Sequence, residues 1–116
     1  ENFAFNSAKL SATGKRAIAA AVEANKDNYI YRVTVVGFTD RIGNLDYNMK
    51  LSEKRAEAVK AAFVADGVPE ERIYPEGRGP AEPLVSCEGH EGMDLIHCLA
   101  PNRRVVVGVT VPEIIA

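Results

Sequence analysis

The 116-residue chain has little of several things, and each shortage narrows what it can do. Its formal charge is only −2, which gives no sign of the broad basic surface that duplex nucleic acid requires. No apolar run approaches the roughly 20 residues of a membrane span. No signal peptide precedes Glu1, so we expect an excised domain whose targeting segment and any membrane anchor lie upstream. The glycine-rich "GRGP" of residues 77–80 is not followed by GKS or GKT, which argues against a phosphate loop. Ser52 has no histidine nearby in sequence and no nucleophile elbow around it, which argues against covalent catalysis. Internal repeats and low-complexity tracts are also missing. Cysteine is limited to Cys87 and Cys98. A disulfide between them would restrict the unfolded chain, contributing roughly 2–3 kcal/mol, and implies an oxidising compartment. Free thiols, or a metal site shared with His90 and His97, are the open alternatives, but the spacing is not a usual zinc pattern.

What is present describes one globular domain over residues 1–116, with 47% apolar and 26% charged residues. Phe3 and Phe5 alternate in "NFAFN" and predict a short strand. Ser11 or Thr13 can cap an alanine-rich helix that runs to Asn25. The β-branched and aromatic residues 29–38 read as a central strand. A second helix starts between Leu45 and Ser52 and stops before Gly67, which suits the position just past a helix end. "ERIYPEG" reads as a strand, with Pro75 placing its end at an edge or bulge. Residues 77–101 form a long loop carrying one short helical piece, "GMDLIHCLA". "RRVVVGVTV" reads as the closing strand. The expected fold is α+β in the order β-α-β-α-β-(loop/short helix)-β, with helices packed on one face of a four-stranded mixed sheet. The other face should be partly exposed or covered by the loop.

One residue does not fit this pattern. At 100° per residue from Leu51, the residues Tyr47, Leu51, Ala58, Ala62, Val59 and Phe63 fall in an apolar arc of about 160°. Arg55 lies inside that arc. Its charge cannot be shed by deprotonation, so it needs an anion or several carbonyls nearby. Asp40, in the loop before the helix, is the closest candidate in sequence. Two readings make Arg55 structural: an Asp40–Arg55 ion pair, or a stem that snorkels to water. In a third reading the two charges form a receptor for a zwitterion. Asp40 would hold an ammonium and the Arg55 fork a carboxylate. Gly37 and Gly43 permit close backbone approach, N–H groups near the helix start attract anions, and Asn48 adds an amide.

The stretch "GFTDRIGNLDYNMKLSEKRAEAV" (37–59), followed by "DGVPEERIYPEGRG" and "PNRRVVVGV", resembles the OmpA-like peptidoglycan-binding domain. That domain is shared by OmpA porins, the peptidoglycan-associated lipoprotein and the flagellar stator protein. The similarity covers nearly the whole chain, and the pattern G-x-T-D-x-x-G-x-x-x-Y-N-x-x-L-S-x-x-R-A is highly specific. The segment ending "HCLAPNRRV" is most similar to the porin branch. The resemblance implies non-covalent, non-catalytic binding of peptidoglycan through the meso-diaminopimelate of its stem peptide, without cofactor or metal. It also implies a periplasmic domain of a Gram-negative outer membrane protein. Asp40 and Arg55 map to the principal anchors, with Asn48 and Arg103 beside them and Asn6 at the polar position after the first aromatics. Thr39, Ile42, Gly43 and Leu51 would line the pocket. Phe38 departs from the histidine that many members carry there. Other readings are a protein-interaction module, joining a homodimer or other envelope proteins, and a wall hydrolase. The hydrolase reading is disfavoured because a general acid needs an apolar setting and Asp40 is expected to face an arginine.

Overall fold

The computed structural model describes residues 3–111. Helix α1 spans Ala12–Ala24 and follows Ser11, whose Oγ accepts the Gly14 N–H at 3.0 Å, one of the donors a helix start leaves open. Strand β1 (Arg32–Gly37) leads to the long helix α2 (Leu45–Ala65), which is capped at its start by Asn44 Oδ1 on the Tyr47 N–H. A single 3-10 turn, Glu70–Arg72, precedes β2 (Ile73–Gly77). The short helix α3 (Gly92–Cys98), another 3-10 turn (Ala100–Asn102) and β3 (Val105–Thr110) complete the described part. No helix among the described residues is long and apolar enough to cross a membrane.

The exit from α2 shows why the chain turns where it does. Gly67 adopts φ +101°, a conformation that favours glycine. It lets the Val68 N–H reach the Phe63 carbonyl and the Gly67 N–H reach that of Val64, both at 3.0 Å. Val68 and Phe63 are both buried, so the turn closes with an apolar contact of the kind that accompanies this motif.

The sheet is mixed and has the order β2-β1-β3, with β1 parallel to β2 and antiparallel to β3. Val33 and Val35 point to the helical side and are fully buried with Ile18, Val59, Phe63 and Ile73. Thr34 and Val36 point to the opposite face, which Tyr74 and Val106 leave open to solvent. Pro75 lies in β2 at the sheet edge, the place its missing donor tolerates.

Among the described residues the sheet has three strands, not the four expected, because residues 3–7 do not form one. Phe3 is buried and Phe5 exposed, as alternation predicts. However, Asn6 has φ +57°, outside the extended region, and the Ser7 N–H closes a turn on the Ala4 carbonyl. The carbonyls of Phe3, Ala4 and Ser7 accept hydrogen bonds from arginine side chains instead. The central strand is also shorter than residues 29–38. Tyr29 and Tyr31 pack edge to face ahead of it, and Arg72 stacks on Tyr29. Arg103 and Arg104 lie just before β3 and not within it.

The approach of α2 to the sheet sets the geometry of everything above it. Gly37 and Gly77 are partners across β1 and β2. A Cβ on Gly37 would collide with the Ser52 carbonyl oxygen, and one on Gly77 with Ser52 Oγ at 2.6 Å. These glycines let the Ser52 side of α2 sit against the backbone. The buried face of α2 is therefore Asn48, Leu51, Ser52, Arg55, Ala56, Val59 and Phe63. Relative to the arc expected from apolar residues alone, it is turned about 35° toward Ser52 and Ala56. Tyr47 is consequently half exposed, while Arg55 stays inside.

Candidate functional site

The loop between β1 and α2 is held by hydrogen bonds at several points. The Phe38 N–H bonds the Arg104 carbonyl and the Thr39 N–H that of Gly79, each at 2.8 Å, which extends the sheet past its last residues. Asp40 then turns the chain by accepting the Ile42 N–H on Oδ1 at 3.0 Å. The Asn48 side chain donates to the Ile42 carbonyl at 2.9 Å and so ties the turn to the first turn of α2. Gly43, at φ +95°, supplies the conformation that admits this short return. Ser52 acts as backbone glue. Its hydroxyl donates to the Met49 carbonyl and accepts the Gly79 N–H.

A cleft of about 150 Å³ opens between this loop, α2 and the N-terminal segment. Asp40, Thr39, Ile42 and Gly43 line it from the loop, and Asn48, Leu51 and Arg55 from the helix. Asn6 lines it from the N-terminal segment. Eight of the nine residues singled out from the sequence therefore share one cleft. Arg103 is not among the lining residues. It lies behind Asp40, almost fully buried, with Nη1 3.1 Å from Asp40 Oδ2.

Arg55 is fully buried. Nε donates to the Ser7 carbonyl at 2.9 Å, Nη1 to that of Phe38 at 3.1 Å and Nη2 to that of Ala4 at 3.1 Å. The Phe3 ring lies 5.2 Å from the guanidinium carbon. Several carbonyls, one of the two ways stated for holding a buried guanidinium, are thus in place. Asp40 forms a second wall of the same cleft. A water-poor site with a fixed cation and a fixed carboxylate can hold a small ligand that carries both signs, since Coulomb interactions strengthen as water is excluded.

Phe5 and Tyr47 were not among the residues singled out from the sequence for the site, yet both line the cleft. The Tyr47 hydroxyl donates to Asn6 Oδ1, which latches the N-terminal turn to α2. The helix angle of Tyr47, one turn before Leu51, was the available signal. For Phe5 the strand expectation hid it. Asn102 was also missed; its side chain accepts the Leu84 and Val85 N–H groups and donates to the Val85 carbonyl, and so holds the long loop in place.

Cys87 and Cys98 form a disulfide with a Cα–Cα distance of 6.0 Å, which decides among the three cysteine readings. His90 pairs with Asp94 on the surface, and no cluster of metal-ligating side chains occurs among the described residues. A second groove, of about 180 Å³, lies between α1, α2 and β3. It is lined only by glycine, alanine, leucine, isoleucine, valine and phenylalanine, so it has nothing to orient a charged ligand.

Residues 2–95 match the OmpA family. Outer membrane protein A of Klebsiella aerogenes is 40% identical over 112 residues, covering 92% of this chain. The chain spans 32% of that relative's length. The OmpA-like domain of FopA1 from Francisella tularensis superposes with a TM-score of 0.72 at 34% identity, covering 97% of this chain and 73% of that one. The cell wall anchor of the T6SS from Pseudomonas aeruginosa gives a TM-score of 0.71 at 28% identity, covering 95% of this chain and 75% of that one. With most of its sequence matched and its fold shared almost from end to end, the chain belongs to the OmpA family.

Proposed function

We propose that this chain is a non-catalytic periplasmic domain that binds peptidoglycan and anchors an outer membrane protein to the cell wall. The ligand is the meso-diaminopimelate centre of a stem peptide, held in the cleft between Asp40 and Arg55. The observation that carries this reading is the cleft itself. It puts one carboxylate and one guanidinium on facing elements, at exposures of 4% and 0%, with the Asn48 amide beside them. The free end of diaminopimelate bears an ammonium and a carboxylate on one carbon, which matches that pair of charges. Asp40 takes the ammonium. Arg55, anchored on three carbonyls, supplies a fixed positive floor for the carboxylate, helped by N–H groups at the start of α2. Thr39, Ile42, Gly43, Leu51 and Asn6 shape the walls. The outer membrane relatives and the cell wall anchor described above support the same placement.

Affinity for one such centre is modest, and a wall presenting many of them raises the effective strength. Lysine-type stem peptides lack the side-chain carboxylate. They should bind about tenfold more weakly, the effect of losing one hydrogen bond to a charged group. Isothermal titration with the two stem peptides, repeated on Asp40→Asn, tests the idea. Equal affinity for the two peptides, or unchanged affinity in the variant, would overturn it.

One observation favours a second reading. The three carbonyls around Arg55 suit a purely structural cation in a protein-interaction module. In that case amide shifts on adding diaminopimelate would not centre on residues 39–55, and purified sacculi would not retain the domain.

A further inference from the structure

Arg103 collects three separate parts of the chain. Nη1 donates to Asp40 Oδ2 at 3.1 Å and to the Ile96 carbonyl at 2.9 Å, and Nε reaches the Phe3 carbonyl at 3.4 Å. Arg103 therefore sets the position of Asp40, while Ile96 in α3 helps set the position of Arg103. A hydrogen-bonded partner behind a ligating group commonly fixes that group's orientation.

The weak member of this chain is α3. It has seven residues, too few to be stable alone. It has no side-chain cap at its start and buries none of its own residues. Three things fix it to the domain near its C-terminal end: the Arg103 bond to the Ile96 carbonyl, buried Leu99 just beyond it, and the disulfide from Cys98 to Cys87. On the far side of the bridge the loop is held firmly. Asn102 binds the backbone of Leu84 and Val85, and the Arg41 guanidinium donates to the Ser86 carbonyl. The disulfide thus joins the hydrogen-bonded residues 84–86 to the helix that carries the Ile96 carbonyl.

We infer that Arg103 is a positioning residue for Asp40, and that the Cys87–Cys98 disulfide sets the affinity of the cleft by holding α3, and with it the Ile96 carbonyl, against Arg103. This rests on the Asp40–Arg55 cleft being the ligand site. Opening the bridge does not touch the cleft or the apolar core, which lies under α1 and α2. It removes the covalent anchor of α3, lets the Ile96 carbonyl and the Arg103 guanidinium shift, and loosens the set orientation of Asp40. Reduction by dithiothreitol places one hydrogen on each sulfur, and the reagent is oxidised to its cyclic disulfide.

The test uses the Cys87→Ser/Cys98→Ser double variant and the dithiothreitol-reduced wild type, with Arg103→Lys as a charge-conserving partner. Two readouts are needed. The first is the Ile42 amide in ligand-free protein, followed by its NMR shift and hydrogen exchange, because that N–H is bonded to Asp40 Oδ1. The second is affinity for a diaminopimelate stem peptide. We expect the double variant to melt cooperatively, to move the Ile42 amide and lose its protection, and to bind about tenfold more weakly. Arg103→Lys should fall between the double variant and wild type. An Ile42 amide and an affinity both unchanged in the double variant would overturn the inference. If wild type itself fails to bind the peptide, the proposed ligand is wrong; the Ile42 amide then still decides whether the bridge positions Asp40.

Discussion

The two ends of α2 have interiors of different kinds. From Val59 to Phe63 the helix covers an apolar core with Val33, Val35 and Ile73, and no charge is buried there. From Asn48 to Arg55 it buries an amide, a hydroxyl and a guanidinium, and next to them lie Thr39, Asp40, Asn102 and Arg103, also buried. All the buried polar side chains of the described residues gather at this end of the domain. The apolar end yields stability with little directional demand. The polar end yields geometry, since each buried polar group needs its partners in place and is costly without them. Under the proposed function this matters, because a site for a small charged ligand gains from being built beforehand, and hydrogen bonds hold both Asp40 and Arg55 in place.

The contrast can be broken most severely at Arg55. Arg55→Met keeps the stem but strips donors from the carbonyls of Ala4, Ser7 and Phe38, and leaves Asp40 without the second cleft charge. A loss of about 3–5 kcal/mol is expected, the range for removing one side of a buried charge network, measured by chemical denaturation. A loss below about 1 kcal/mol would mean the carbonyls find water instead. At the apolar end, Phe63→Ala removes a fully buried ring and should cost about 3–4 kcal/mol through lost contacts and the cavity left behind. Unlike the first variant, it should bind the diaminopimelate peptide with wild-type affinity in the folded fraction. If affinity falls in step with stability, the two ends are not separable. The smallest effect belongs to Arg78. This exposed guanidinium bonds to Glu76 and Glu82 across the surface, and the Glu76 hydrogen bond and charge hold its pKa above the ordinary value. Arg78→Ala should leave both the melting temperature and the peptide affinity unchanged, because solvent screens such pairs.

Much of this was legible in the chain itself. The Ser11 cap, the Gly67 stop and the edge position of Pro75 each follow from one residue's local chemistry, and each is where it was expected. The cleft was legible because one contiguous motif, residues 37–59, supplies the loop and the helix that form most of it. The N-terminal segment was misread. Its alternating pattern reports burial correctly, but burial alone does not distinguish a strand from a coil whose carbonyls serve arginines.

The sequence by itself determined the order of the helices and of the three strands, roughly where they lie, and that the inward side of α2 carries a permanent charge. These depend on periodicity and on residues within one or two turns of each other, so the local order of side chains suffices. Packing against Gly37 and Gly77 decided how that side is turned. Tertiary structure alone decided who answers the charges. Asp40 meets Arg103 from 63 residues away, and Arg55 meets the Ala4 carbonyl from 51 residues away. Those pairings arise because packing removes water from the groups at that end of the sheet, and each must then take whatever partner the topology brings within hydrogen-bond reach.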